Sequence, residues 1–359
     1  MSRSEAAEEP RGGLTAAARQ TIAARLMPSA RQALINRQLR ANHETRNSWT
    51  SCAAQRQQVT RLIREQIEWQ YAHRPHLSPL RIAILGAGNG NDLDLEELTS
   101  FGRSPAELDP TNGPAPSRLS GEQSAAAVRL HLFDLDEGAI GSIRQRQPRA
   151  NWSAIDCHAS IDLSGLDTIT TNVGATNMGA ENMGAENMGA TEMSTAISAS
   201  EQVAERVRAL SKQKDFDLVV STCLLSQIME GVVHELGGWH DDYLPLIQQL
   251  RTEHLRLLFH CTRPGGTILF ITDFVSSDSC DELHRIAPQA LPELVQQLIA
   301  QRNFFTGLNP AVLARFWSSD AVTGLQVEQV RVTQPWLWNP GPRVYVVCGF
   351  IVSRVAKRC

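Results

Sequence analysis

The chain has 359 residues, 42% of them hydrophobic, and a formal net charge of -4. It is long enough to bury a full core in one large domain with an appendage. No run approaches the roughly 18 consecutive apolar residues of a membrane span, and the opening MSRSEAAEEPRGG is too polar for a signal peptide, so no membrane partner and a cytoplasmic location are expected.

Charge is unevenly spread. Residues 1–80 hold twelve Arg and no Lys against six Glu and no Asp. A basic segment of this kind can meet nucleic acid, but no aromatic-rich surface accompanies it, so solvated faces of amphipathic helices are the favoured reading and a nucleic-acid partner is not. The seven cysteines are odd in number, scattered and never spaced C-x-x-C. That pattern argues against a disulfide framework or a zinc cage, and no metal site is expected.

In chain order, residues 1–13 read as a disordered tail and 14–79 as a helical segment. Residues 15–41 are rich in helix formers, a polar joint spans Asn42 to Ser48, and Val59, Leu62, Ile63, Ile67 and Tyr71 form one apolar stripe on a second helix. From residue 80 to 354 short β-rich runs alternate with helical stretches, the grammar of a parallel sheet with crossover helices. The runs are 81–85, 128–133, 151–159, 216–221, 266–272, 324–332 and 343–352, the last two able to pair antiparallel around a Pro/Gly turn. Helices are expected at 91–100, 136–147, 201–212, 241–261 and 282–302. Two inserts interrupt the pattern: a Gly/Pro/Ser-rich stretch at 102–125, and a pentad repeat, TNVGA TNMGA ENMGA ENMGA, at 171–190. The repeat matches neither helix nor strand periodicity, and a flexible segment over 171–195 is expected.

The first run leads into LGAGNGNDLDLEEL (85–98), with glycines at alternate positions before a helix. Glycine allows the sharp turn and a close ligand approach, and free N–H groups at a helix start attract electron-rich groups. The second run ends in FDLDEGAI, with Asp134 at the strand tip, where a nucleoside-binding fold accepts ribose hydroxyls. Asp136 reads as a helix N-cap. The fourth run leaves the core at Ser221 to Cys223, and the fifth exits at Asp273.

With these segments in this order, residues 80–352 resemble the class I, Rossmann-like S-adenosylmethionine-dependent methyltransferase family. The resemblance implies an α/β fold: a seven-stranded, mostly parallel sheet with a C-terminal antiparallel strand and helices on both faces. It implies S-adenosyl-L-methionine as cofactor and methyl transfer to a small-molecule or macromolecular acceptor. Gly86, Ala87, Gly88, Asn89 and Gly90 then lie beneath the methionine moiety, Asp134 with Leu135 meets the ribose, Asp156 or Asp162 meets the adenine amine with Asp162 preferred, and Ser221 and Thr222 lie beside the methyl sulfonium. The family frequently carries an acid two positions before the first glycine, where this chain has Ile84. Asp92 or Asp94 then takes over the cofactor's amino group. On the acceptor side, His234 and Asp241 follow the fourth strand in a polar run and are the candidate catalytic residues. The stretch RNFFTGLNP (302–310) with Trp336 and Trp338 is a candidate cover for an acceptor pocket, with core packing the favoured reading for the aromatics. Two alternatives stand beside this reading: a NAD(P)/FAD-type dinucleotide oxidoreductase, whose fingerprint wants glycine where residue 91 is Asn, and a non-catalytic, cofactor-binding regulatory protein.

Overall fold

A computed structural model describes residues 32, 35–74, 79–101, 127–164, 198–212, 215–236, 243–318 and 326–356. The tail, both inserts and Asp241 lie outside these residues. The described elements are helix α1 (35–45), α2 (Ala53–His73), β1 (Leu80–Leu85), α3 (Leu95–Thr99), β2 (Val128–Phe133), α4 (Glu137–Arg146), β3 (Ile155–His158), α5 (Ala199–Ser211), β4 (Phe216–Thr222), α6 (Leu224–Leu236), α7 (Tyr243–Cys261), β5 (Thr262–Ser276), α8 (Leu291–Ala300), α9 (Pro310–Trp317), β6 (Val327–Val332), β7 (Trp336–Trp338) and β8 (Tyr345–Arg354).

The strands lie in the order β3-β2-β1-β4-β5-β8-β6, with β7 also paired to β8. The first five are parallel, and β8 runs antiparallel to β5, β6 and β7. Between β6 and β7, the Thr333 N–H donates to the Gly349 carbonyl at 2.8 Å. β6 and β7 are therefore two halves of one interrupted edge against β8, an eighth strand beyond the seven expected.

Both faces of the sheet are covered. On one, Val203 and Val207 of α5, Leu225 and Ile228 of α6, Leu250 and Leu258 of α7 and Leu313 of α9 pack on Phe216, Phe270 and Phe350. On the other, Val59, Leu62, Ile63 and Ile67 of α2 pack with α3 and α4 on Ile82, Ile84, Leu130 and Leu218. These four α2 side chains are 0–2% exposed, each contributing roughly 1.5–3 kcal/mol of burial. β4 is buried at all seven positions, as a parallel strand sandwiched by helices must be.

Three boundaries depart from expectation. The 282–302 helix is a short 3-10 turn at Asp281–His284 followed by α8, because Pro288 cannot continue a helix. The helix after the glycine loop begins at Leu95, not at residue 91. Helix α1 runs through the first residues of the supposed joint, to 45, its last turn closed by Thr45 Oγ1 donating to the Ala41 carbonyl at 2.7 Å.

Candidate cofactor and acceptor site

The carboxyl ends of β1, β2 and β4 meet at the point where the chain's excursions switch from one side of β1 to the other, the place where open α/β sheets bind ligands. Here Gly86, Gly88 and Gly90 all have positive φ, at +72°, +50° and +64°. A Cβ on Gly86 would lie 3.0 Å from Leu224 Cβ and one on Gly90 2.9 Å from Ile143 Cγ1, so these two seat the loop on α6 and α4. Gly88 is different: a Cβ there would meet only Asn42 Oδ1, at 3.3 Å.

The loop is tied to the β2 tip. Gly86 and Ala87 donate to the Phe133 carbonyl at 2.9 and 3.1 Å, and the Gly88 N–H donates to Asp134 Oδ2 at 2.6 Å. Asp134 Oδ1 accepts from the Asp136 N–H at 2.8 Å and from Asn42 Nδ2 at 3.2 Å. Burial pushes the Asp134 carboxyl up, and those donors pull the other way. Asp136 caps α4 through the Gly138 N–H at 2.8 Å, as predicted.

Three N–H groups around the α3 start, expected to be free, are engaged within the protein. The Asp94 carboxylate accepts from the Glu97 N–H at 2.9 Å. The Leu95 N–H is taken by Gln147 Oε1 at 2.7 Å and the Asp94 N–H donates to Thr60 Oγ1 at 3.0 Å. Asp94 is thus a cap, which leaves Asp92 as the acid of the loop. Asp92 Oδ1 is enclosed and has no hydrogen-bond partner. Desolvation raises its pKa to about 7, opposed by Arg56 and reinforced by Asp273.

β5 does not exit at Asp273 but runs on to Ser276, paired with β8; Asp273, just past the pairing with the β4 tip, is 5% exposed and accepts from Ser226 Oγ. Burial raises its pKa to about 6, with Glu230 adding to the rise. Between the two acids stands Cys223, with φ +51°. Its N–H donates to the Ile271 carbonyl at 2.8 Å, and burial followed by the charges of Asp273 and Asp92 holds its thiol protonated. Tyr345 joins this group electrostatically, its hydroxyl pushed up by burial and by Asp273, with the Trp338 ring 5.3 Å away.

Other residues singled out by sequence fall in different places. Thr222 is buried at the β4 tip. The Ser221 hydroxyl is engaged in the core, 3.1 Å from His254 Nε2. Asp162 Oδ1 accepts from the Ser164 N–H at 2.9 Å, one residue beyond the Ile161 N–H that donates to the Asp134 carbonyl. Asp156 is paired with Arg129 at 2.8 and 3.0 Å and is thereby drawn below the usual carboxylate range. Leu135 is half-buried beside Asp134, and Ala87 and Asn89 are buried in the loop. His234 is exposed on α6, eleven residues from Cys223, or about 16 Å along a helix. It does not join the strand-end acids, because α6 carries it away from the sheet.

No family model matches the sequence, and no curated protein does. Among solved structures, the chain is similar to a SAM-dependent methyltransferase from Methanosarcina mazei at 9% identity and TM-score 0.37, covering 80% of this chain and 98% of that one. It is similar to the N-methyltransferase NodS from Bradyrhizobium japonicum at 12% and 0.31, covering 84% and 96%. It is also similar to TrmN from Thermus thermophilus at 13% and 0.34, covering 80% of this chain and about half, 48%, of TrmN. The strand order, with its single reversed strand, is on its own the arrangement implied by the resemblance. This is the class I methyltransferase fold. The glycine loop is joined to Asp134 through the Gly88 N–H, the charge of Asp273 reaches Asp92, and no helix among the described residues is long and apolar enough to cross a membrane.

Proposed function

We propose that this chain is an S-adenosylmethionine-dependent methyltransferase that binds its cofactor across the carboxyl ends of β1, β2 and β4. The observation that carries the proposal is Asp134: a buried carboxylate at a β2 tip, aimed by the Gly88 N–H at 2.6 Å, is suited to accept a ribose diol. In this reading Gly86, Ala87, Gly88, Asn89 and Gly90 underlie the methionine moiety, Leu135 and Asp162 flank the nucleoside, and Thr222 lies near the methyl group. Asp92 takes the cofactor's ammonium. Its enclosed, unpartnered oxygen is satisfied by an N–H donor there, and the cation restores its ionised form.

The same groups argue against a dinucleotide. A pyrophosphate wants uncommitted N–H groups at a helix start, and here Gln147 and Asp94 take those of Leu95 and Glu97. Two acids, half-buried Asp92 and buried Asp273, repel a diphosphate and suit a sulfonium and an ammonium.

The bound cofactor supplies an activated methyl group, and the chain's task is to align the acceptor in line with it, worth on the order of 7–11 kcal/mol. For an acceptor that must lose a proton, Asp273 is the better placed base: it shares the strand ends with Thr222 and Cys223, and its raised pKa suits proton transfer near neutral pH. His234 and Asp241 are second choices for contacts at the acceptor's outer rim. The test is transfer of a radiolabelled methyl group from the cofactor into a fractionated lysate, with Asp273→Asn as the control. Labelling lost in the variant supports the assignment. Cofactor binding without labelling of any fraction favours the regulatory alternative.

A further inference from the structure

The segment 35–52 lies across the candidate nucleoside site rather than beside it. Its Asn42 carbonyl accepts from Asn89 Nδ2, which also donates to Thr45 Oγ1 at 3.2 Å. Asn91 Nδ2 donates to the Thr45 carbonyl at 2.8 Å, and Arg146 reaches the Arg46 carbonyl while its Nη1 donates to the Asn89 carbonyl at 3.2 Å. Farther out, Arg37 pairs with Glu230 of α6. The strap is thus fixed to the glycine loop, α4 and α6 by contacts that do not involve Asp134. Among the described residues of the strap, only Asn42 hydrogen-bonds Asp134, with Nδ2 on Asp134 Oδ1 at 3.2 Å and Oδ1 over Gly88.

A carboxylate offers about four lone-pair sites. At Asp134 the Gly88 N–H, the Asp136 N–H and the Asn42 amide hold three of them. A diol needs two, one from each hydroxyl, so bidentate ribose binding requires the site that Asn42 holds. The two backbone donors cannot leave without unwinding the loop or the α4 cap. The side-chain amide can leave by rotation.

We propose that Asn42 is a placeholder for the ribose: it satisfies the buried Asp134 carboxylate in the cofactor-free protein and is displaced by the 2′,3′-diol, so that nucleoside affinity is set by competition with a residue of the amino-terminal strap. The proposal rests on Asp134 being the ribose acid. An amide at hydrogen-bond distance stabilises the empty, desolvated carboxylate, and that stabilisation is lost when the ligand enters. Removing the amide destabilises the empty site and therefore tightens binding.

The experiment is calorimetric titration of the full chain and its Asn42→Ala variant with S-adenosylhomocysteine, adenosine and 2′,3′-dideoxyadenosine. The expected result is that Asn42→Ala tightens adenosine and S-adenosylhomocysteine by about fivefold, the net worth of one hydrogen bond, and leaves dideoxyadenosine unchanged. Weaker diol binding in the variant would make Asn42 a ribose ligand and overturn the proposal, as would equal affinities. Should the alanine variant lose its cooperative melt, Asn42→Ser, whose hydroxyl stops short of Asp134, repeats the test. Wild-type protein that binds none of the three ligands removes the cofactor reading itself, whereas binding that is indifferent to Asn42 removes only the placeholder.

Discussion

Aspartates shielded wholly or partly from water stand toward both ends of the central strands, and they are treated in opposite ways. Asp217, at the amino-terminal end of β4, is 1% exposed, and its two oxygens accept from the Arg81 N–H at 2.7 Å and from Arg263 Nε. Toward the carboxyl ends, Asp92 feels the charge of Asp273 and Asp273 that of Glu230, and Asp92 keeps an enclosed oxygen with no partner. A buried carboxylate with a full set of donors holds a fold together. One left short of donors costs stability, and a ligand can supply what is missing.

The comparison breaks most visibly under substitution. Asp217→Ala should cost about 3 kcal/mol in urea unfolding, since it strands Arg263 beside a buried void. The equivalent change at the other end should stabilise. A carboxyl whose folded pKa is raised holds its proton to higher pH than the unfolded chain does, so its contribution to stability falls as pH rises from about 4 to the folded pKa. For Asp92 that window ends near 7 and for Asp273 near 6. Arg56 opposes the shift at Asp92, while Asp273 and Glu230 add to the shifts at the two sites. Asp92→Asn and Asp273→Asn should therefore melt higher than the parent at pH 7 and converge with it at pH 4. A gap independent of pH would mean that the acids are not desolvated as described.

Within the glycine loop the same contrast sharpens at single atoms. Gly90→Ala drives a Cβ into Ile143 at a positive φ and should cost about 1–2 kcal/mol or more for backbone conformation alone. Gly88→Ala carries a similar backbone cost but meets only the Asn42 side chain. It should be the milder of the two in thermal unfolding and the more harmful in nucleoside binding. The smallest effect is expected at Ser221. Its hydroxyl serves buried His254, so Ser221→Ala should lower stability by about 1 kcal/mol and leave cofactor affinity unchanged. A loss of affinity there would return Ser221 to the cofactor site.

The strands were legible because each parallel strand is a short apolar run with a polar exit, and Asp134 was legible because it sits at such an exit. Helix α6 was not read as a helix, although Leu224, Leu225, Ile228, Met229 and Val232 recur at helical spacing and are buried. Its polar residues, His234 among them, read in sequence as a polar run on the acceptor side. β7 is too short, at three residues, for its alternation to register. Ser221 and Thr222 looked equivalent in sequence, but alternation along β4 sends the Ser221 hydroxyl to His254. Asn42 was invisible for a different reason. It is separated from Asp134 by 92 residues, and nothing in a polar helix end announces which carboxylate it will meet.

If Asp134 accepts the ribose of S-adenosylmethionine, calorimetric titration of the cofactor into the parent and Asp134→Ala proteins will separate the two. Binding should weaken by about 1.5–3 kcal/mol, the worth of hydrogen bonds to a charged group, in a variant that still unfolds cooperatively. Unchanged affinity in a folded Asp134→Ala protein would contradict it.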